Sequence, residues 1–130
     1  MINKVAAAMQ LKYRDDGKFL AILKLGRLTR NDVTALIKAA QAKSRIVDLN
    51  GRDLHRLDLS KLSLGRADLS NANLSGSDLS NTVLFDANLH NANFSNANLS
   101  HINFSYADLS NAKLDGANLL YAILLKTTMP

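Results

Sequence analysis

The side chains that could do chemistry in this sequence are three histidines and a set of evenly spaced serines. His55, His90 and His101 carry the ring nitrogens that acid–base catalysis and metal binding use. A serine becomes a nucleophile only beside a base, and no serine here has a neighbouring histidine or acid arranged as a triad. The serines in question are Ser70, Ser75, Ser80, Ser95, Ser100, Ser105 and Ser110.

Other chemical motifs are missing from the sequence as well. It contains no Cys, and therefore no disulfide, no thiolate nucleophile and no metal-spaced Cys/His cluster. It has no Gly-rich phosphate loop and no nucleophile elbow. We therefore predict no catalytic residue, no metal site, no cofactor and no small-molecule substrate, and we expect a protein that is not an enzyme.

The fold that positions these side chains is indicated by a series of large apolar residues, one at every fifth position. The series runs from Leu49 to Leu124 without a miss and has sixteen members, fourteen Leu plus Phe94 and Phe104. A helix needs apolar residues at steps of three and four, and a half-buried strand needs alternation. The chain must therefore turn a corner about once per repeat, which predicts a solenoid.

The residues around each central Leu repeat too. Ala is preferred two positions before it, Asp or Asn one before it and Ser after it, often followed by Asn or Gly. The unit reads A-(D/N)-L-S-N, with one large and one small inward residue. Its outward residues are short and polar, and such side chains bond back to the nearby backbone. The serines therefore read as turn residues.

This unit resembles the pentapeptide-repeat family over roughly residues 46–126, and in particular its small cyanobacterial and plant members with an N-terminal helical cap. The resemblance implies an all-β solenoid, a right-handed quadrilateral β-helix with one repeat per side and about four coils. At about 4.8 Å per coil the rod is roughly 19 Å long. Inward residues four repeats apart then form ladders, and the three histidines fall on three different sides.

Charge divides the chain near Arg45. Residues 1–45 carry ten Lys or Arg against three Asp, a net +7, whereas residues 46–130 carry six basic and eight acidic residues, a net −2. We predict a basic α-helical N-terminal cap over 1–45, the β-helix over 46–126 and a short C-terminal tail over 127–130. The cap is expected because the first coil of a solenoid otherwise exposes its apolar end and its unpaired strand edge.

Three helical segments are predicted within this cap. They cover 5–11, 19–25, and a stretch from Thr29, Asn31 or Asp32 to about Lys43, whose apolar face holds Val33, Leu36, Ile37 and Ala40. The apolar stretch near the N-terminus is too short for a signal peptide or a membrane span. We therefore expect a cytoplasmic protein that does not bind membranes.

Apolar residues interrupt the polar outward pattern on one side of the predicted rod and near its C-terminal end. The candidate interaction surface consists of Val83, Phe85, Tyr106, Leu120, Tyr121, Ile123 and Leu125. A stripe this apolar is normally covered. The sequence leaves three covers open: the chain's own N-terminal segment, a second copy in a homodimer through this side or the C-terminal edge, and an unrelated protein.

These observations favour a non-enzymatic protein–protein interaction or scaffold module whose partner the sequence does not name. Two other functions remain as alternatives. Some pentapeptide-repeat proteins mimic DNA, bind type II topoisomerases and give quinolone resistance; the corresponding acids here are Asp48, Asp68 and Asp108, interrupted by Asn88.

The second alternative is direct nucleic-acid binding, with the basic N-terminal residues on phosphates. These residues are Lys12, Arg14, Lys18, Lys24, Arg27, Arg30, Lys38, Lys43 and Arg45. No aromatic residues interleave with them for base stacking, so the sequence does not favour this function.

Overall fold

Backbone bridges between residues twenty apart define a four-sided β-helix. The computed structural model describes residues 11–14, 16–22 and 26–130. Its parallel bridges run from Asp48↔Asp68 to Asp108↔Thr128, and each joins residues that are four pentapeptides apart. Four repeats therefore make one coil, as predicted. The central residue of a repeat is its large apolar one. We number the faces by their first central residue: face 1 from Leu49, face 2 from Leu54, face 3 from Leu59 and face 4 from Leu64. Coils 1 to 4 begin at Leu49, Leu69, Leu89 and Leu109.

Each repeat builds one side and one corner. On face 1 the N–H of Leu89 donates to Asp108 O in the next coil (2.8 Å), and the N–H of Asn88 donates to Ala67 O in the preceding one (3.0 Å). The residue two positions after each central one turns the corner with a left-handed φ between 52° and 69°. Asn and Gly tolerate this conformation best, which explains their place in the repeat.

The interior is a stack of the central residues. They are fully buried from Leu49 to Leu109, and the Phe94 and Phe104 rings of coil 3 meet edge to face with centroids 5.9 Å apart. Burial decreases in coil 4, where Leu124 is 39% exposed. The apolar core is therefore open towards the C-terminal end of the described chain.

The N-terminal segment is not all helical. β1 (Leu11–Tyr13) and β2 (Phe19–Ile22) form an antiparallel hairpin, and β2 pairs in parallel with β3 (Ile46–Asp48). The helix predicted over 19–25 is wrong at 19–22, where burial alternates as it does in a strand. A four-residue apolar run does not distinguish strand from helix by itself, and pairing with β3 decides its conformation. The helix predicted over 5–11 lies outside the described residues except at Leu11, which begins β1. Residues 23–25 also lie outside them.

The third predicted helix is present as α1 (Arg30–Ala42). Thr29 caps it in a reciprocal arrangement: Asp32 N donates to Thr29 Oγ1 (3.3 Å), and Thr29 N donates to Asp32 Oδ2 (2.7 Å). This capping box fixes the start of the helix. The apolar face holds the predicted residues Val33, Leu36, Ile37 and Ala40, all buried.

These elements meet coil 1 at its N-terminal end. Ala21 of β2 pairs with Asp48, so β2 adds a row to face 1. On face 3 the Arg30 guanidinium donates to the carbonyls of Asp58 (2.8 Å) and Ser60 (2.9 Å). In the row below, backbone N–H groups make the equivalent bonds, Leu59 N to Asp78 O (2.8 Å) and Lys61 N to Ser80 O (3.0 Å). Arg30 thus supplies the donors that a preceding coil would supply.

Face 1 also continues beyond the predicted C-terminal boundary at 126. Thr128 pairs with Asp108, and its N–H donates to Ala107 O (3.0 Å). The predicted tail over 127–130 therefore begins with a further row of the β-helix.

Candidate interaction face

Face 4 differs from the other three faces in having no charged residue at its outward strand positions. Those eight positions hold Ser63, Gly65, Val83, Phe85, Asn103, Ser105, Ile123 and Leu125. Each of the other faces carries at least two Asp at the equivalent positions, such as Asp58 and Asp78 on face 3. The four apolar residues of face 4 are between 38% and 58% exposed. The result is an uncharged side with solvent-exposed apolar groups.

The two corners that border face 4 are also unusual. They hold eight left-handed residues, and only Asn81 is Asn or Gly; the others are Lys61, Arg66, Asp86, His101, Tyr106, Tyr121 and Lys126. At the two corners away from face 4, seven of eight residues are Asn or Gly, and the exception is Arg56. Left-handed backbone costs an ordinary L-residue on the order of 1 kcal/mol, although Asp and His tolerate it better than most. The Lys, Arg and Tyr residues at these corners therefore do not favour the fold.

The apolar strand residues of face 4 do not favour the fold either. In a regular row the Asp or Asn before the central residue accepts the N–H two positions later, as Asn73 Oδ1 does from Ser75 N (3.1 Å). Val83 and Ile123 have no such acceptor. Within the part of the chain that the structure describes, the N–H groups of Phe85 and Leu125 have no hydrogen-bond partner.

The apolar residues contact the corner that follows face 4, which holds Arg66, Asp86, Tyr106 and Lys126. The rings of Phe85 and Tyr106 meet edge to face with centroids 5.4 Å apart, and Lys126 Nζ lies 5.6 Å from the Tyr106 ring centroid. Arg66 Nε lies 3.9 Å from Asp86 Oδ2, and both side chains are largely exposed. This corner therefore presents aromatic surface together with accessible charges.

The structure places six of the seven predicted residues on face 4 or at the corners that border it, and Leu120 on face 3. The bridges Val83↔Asn103 and Asn103↔Ile123 place Val83 and Ile123 in one column, two coils apart. Phe85 and Leu125 share the next column in the same way, and Tyr106 lies at the adjacent corner. Tyr121 lies at the opposite corner in coil 4, where its ring stacks on His101 (4.9 Å), and Leu120 precedes it at an outward strand position of face 3.

The N-terminal segment does not cover this face in the described part of the chain. β1 and β2 extend face 1, α1 packs against β2 and β3, and Arg30 reaches face 3. The apolar residues of face 4 remain exposed. Residues 1–10, 15 and 23–25 of the N-terminal segment lie outside the described residues, so all three predicted covers stay predictions.

The histidines lie apart and have structural partners. His55 Nδ1 bonds Asp53 Oδ1 (2.6 Å), and this bond holds the pKa of the Asp53 carboxyl below its usual value. His90 Nδ1 lies 2.7 Å from Ser110 Oγ. Within the described ranges there is no group of three or more side chains able to hold a metal ion.

The acidic side predicted as a DNA mimic is partly neutralised. Arg14 lies 3.7 Å from Asp48 and 3.0 Å from Asp68, and its guanidinium stacks over the Phe19 ring (4.4 Å). Three of the basic residues predicted to bind phosphates also have partners within the chain. Arg14 and Arg30 pair with acidic residues, and Arg45 lies over the Tyr13 ring. Lys24 lies outside the described residues. Topoisomerase mimicry and nucleic-acid binding stay predictions.

Sequence reasoning missed the pairing of Arg14 and Arg30 with coils 1 and 2. Their partners lie 28 to 54 residues away, and no periodic signal connects them. Among the residues that the structure describes, no helix is long and apolar enough to cross a membrane. A cytoplasmic location stays a prediction.

Comparison with known proteins places these features in a family. Residues 48–84, 63–100 and 83–120 match the family described as Pentapeptide repeats, with eight copies, and together they span more than half of the chain. Proteins of this family form right-handed quadrilateral β-helices, consistent with the four repeats per coil seen here. None of the curated proteins compared with the chain matches it significantly.

Solved structures of other pentapeptide repeat proteins resemble the chain. One from the Arabidopsis thaliana thylakoid lumen is 29% identical with a TM-score of 0.43, covering 68% of this chain and 62% of that one. Rfr23 from the cyanobacterium Cyanothece 51142 is 27% identical with a TM-score of 0.37, covering 65% and 58%. A third, from Nostoc Pcc 7120, is 26% identical with a TM-score of 0.39, covering 75% and 95%. The chain thus spans about three fifths of the length of the first two. On the family match and the coil geometry, this chain belongs to the pentapeptide repeat family.

Proposed function

We propose that this chain is a non-enzymatic protein-interaction module that binds another protein chain through face 4. The observation that carries the proposal is where the repeat is broken. Seven of the eight corner residues bordering face 4 depart from Asn and Gly, and face 4 alone has no charged strand position. These departures concentrate on one side of the rod, as expected for a binding surface.

Folding of the chain itself does not account for these residues. The apolar side chains are exposed, the row hydrogen bonds are missing at Val83 and Ile123, and the corner residues adopt a conformation that Asn and Gly tolerate better. Exposed apolar patches on a folded protein commonly mark interaction sites. Flat, uncharged and partly aromatic surface is also the composition found at the centre of protein interfaces.

We assign the N-terminal segment the role of a cap on coil 1. β2 adds a row to face 1, Arg30 binds two carbonyls of face 3, and the buried side chains of α1 belong to the same apolar cluster as those of the coils. In the described part of the chain, these elements lie away from face 4. This arrangement supports a module with one end closed by its own chain and one side available to a partner.

Photo-crosslinking tests the proposal in the cell that makes the protein. A photoreactive phenylalanine analogue replaces Phe85 in one variant and Tyr13 in a control; the two side chains are similarly exposed, at 43% and 41%, but Tyr13 lies in β1, away from face 4. We expect a defined protein adduct, with a second copy or another chain, from position 85 and not from position 13. Equal or absent adducts from the two positions would contradict the proposal.

A further inference from the structure

The residues of face 4 are complementary to themselves, and from this we infer that face 4 binds face 4 of a second copy with the two rods antiparallel. The inference rests on the proposed function and goes further by naming the partner and its orientation. It depends on which residues of successive coils lie above one another, and the bridges show that these are residues twenty apart.

The apolar rows match under a two-fold axis that crosses the face at coil 3. Such an axis places coil 2 of one copy over coil 4 of the other, since an isologous contact pairs residue i with j and j with i. Val83 then lies opposite Ile123 of the second copy, and Phe85 lies opposite Leu125. The polar row of coil 3, with Asn103, lies on the axis. Each of the four exposed apolar strand residues of face 4 therefore meets another apolar side chain.

The corner charges favour the antiparallel orientation. Under the same axis, the exposed Asp86 of coil 2 lies opposite Lys126 of coil 4 in the second copy. A parallel arrangement also matches apolar rows, but it places Arg66 of coil 1 opposite Lys61 of the second copy. Like charges facing each other disfavour an arrangement, and opposite charges select its register. The corner residues thus distinguish two orientations that the apolar residues alone do not.

The size of the face sets the strength of the contact. Four rows at about 4.8 Å and a side of five residues at about 3.3 Å each give roughly 300 Å² per copy. A stable dimer of standard size buries about 800 Å² per partner. We therefore expect a weak, concentration-dependent dimer, and covalent trapping is the appropriate assay.

Cysteine crosslinking tests the geometry directly, because the chain contains no Cys of its own. Packed sheets lie about 10 Å apart, too far for a disulfide, so a bismaleimide of about that span is the reagent. Phe85→Cys and Leu125→Cys proteins are treated separately and as an equal mixture. Ser95→Cys on face 2 is the control, because Asn93, Ser95 and Asn96 keep the regular repeat pattern there.

The antiparallel dimer predicts several-fold more crosslinked dimer in the mixture than in either protein alone, and only background from Ser95→Cys. Asp86→Lys and Lys126→Asp should each lower the yield by about 1.5- to 5-fold, as expected for an exposed pair, and the double variant should restore it. These residues are exposed, and thermal melting of each variant checks that the fold is retained.

Two results would overturn the inference. Crosslinking mainly within the Phe85→Cys protein would show a parallel contact, which contradicts the orientation and leaves the proposed function in place. Yields at the Ser95→Cys background, together with a monomer in sedimentation equilibrium at several hundred micromolar, would exclude the second copy. The photo-crosslinked adduct from position 85 would then decide the proposed function separately, since a different protein attached there would still support it.

Discussion

Replacing Arg30 tests whether one side chain can stand in for a missing row of backbone donors. Its guanidinium donates to Asp58 O at 2.8 Å, to Asp58 Oδ1 at 3.1 Å and to Ser60 O at 2.9 Å. Both carbonyls belong to the edge of face 3 that a preceding coil would otherwise pair. Arg30→Gln removes the charge and the two-pronged geometry while keeping a polar side chain of moderate length.

The magnitude follows from the bonds and their exposure. A hydrogen bond to a charged group contributes about 1.5–3 kcal/mol when it is well shielded. The Arg30 side chain is 37% exposed and its Asp58 partner more so, so solvent screens their ion pair and the carbonyl hydrogen bonds remain as the main contribution. We therefore expect Arg30→Gln to lower the free energy of unfolding by about 1–2 kcal/mol. Arg30→Lys should recover less than half of the loss, since an ammonium group does not present the planar fork.

Urea unfolding followed by circular dichroism measures these differences, with Arg27→Gln as the matched control. Arg27 is exposed and precedes the same helix. In the described part of the chain it makes no hydrogen bond to the coils, and its charge acts on Asp53 of coil 1 only through space. If Arg30→Gln and Arg27→Gln agree within about 0.3 kcal/mol, the carbonyl bonds do not stabilise the fold. If Arg30→Lys matches the wild type, charge rather than fork geometry is responsible, and the reasoning is refuted.

Three further outcomes are expected from the coils. Leu89→Ala, in the buried core, should cost about 2–5 kcal/mol in urea unfolding, whereas Leu124→Ala, already 39% exposed, should cost much less; equal losses would show that coil 4 is covered. Ala92→Leu should cost about 1–3 kcal/mol by overpacking, and an unchanged melting curve would contradict its buried position. Ser60→Ala should raise the pKa of Asp58 in an NMR titration, because it removes the hydroxyl bond that contributes most to lowering that pKa and leaves the Ser60 N–H bond in place. Since the folded pKa is the lower one, this stabilisation is present above the ordinary pKa and is lost as pH falls through the folded value; a larger rise for Arg30→Gln than for Ser60→Ala would contradict the assignment.

The β-helix could be predicted from sequence because each of its rows repeats the same local chemistry. The Asn73 side chain bonds the Ser75 N–H and hydroxyl within its own repeat, so the reason for Asn and Ser at those positions lies within five residues. The coil period follows from the resemblance to the family. The bridges confirm this period, because every one of them joins residues twenty apart, which is four repeats of five.

The N-terminal segment could not be predicted as well, because its structure depends on partners far along the chain. Phe19 to Ile22 is too short an apolar run to show a period, and it becomes a strand because β3 offers an edge. The helix from Arg30 was predictable, since its capping residues and apolar face are local. The contact of Arg30 with Asp58 was not, because nothing in the sequence indicates which basic residue reaches the uncovered coil.

A repeat protein makes a function visible where its sequence departs from what folding requires. On faces 1 to 3 the short polar residues bond their own rows, and at the corners away from face 4 Asn and Gly accommodate the left-handed turn. On face 4 the residues Val83 and Ile123 give up the row bond, Tyr106 and Tyr121 take strained corners, and none of them gains burial in return. Random drift would scatter such departures around all four sides of the rod. Because most of them share one side, binding explains them better than folding does.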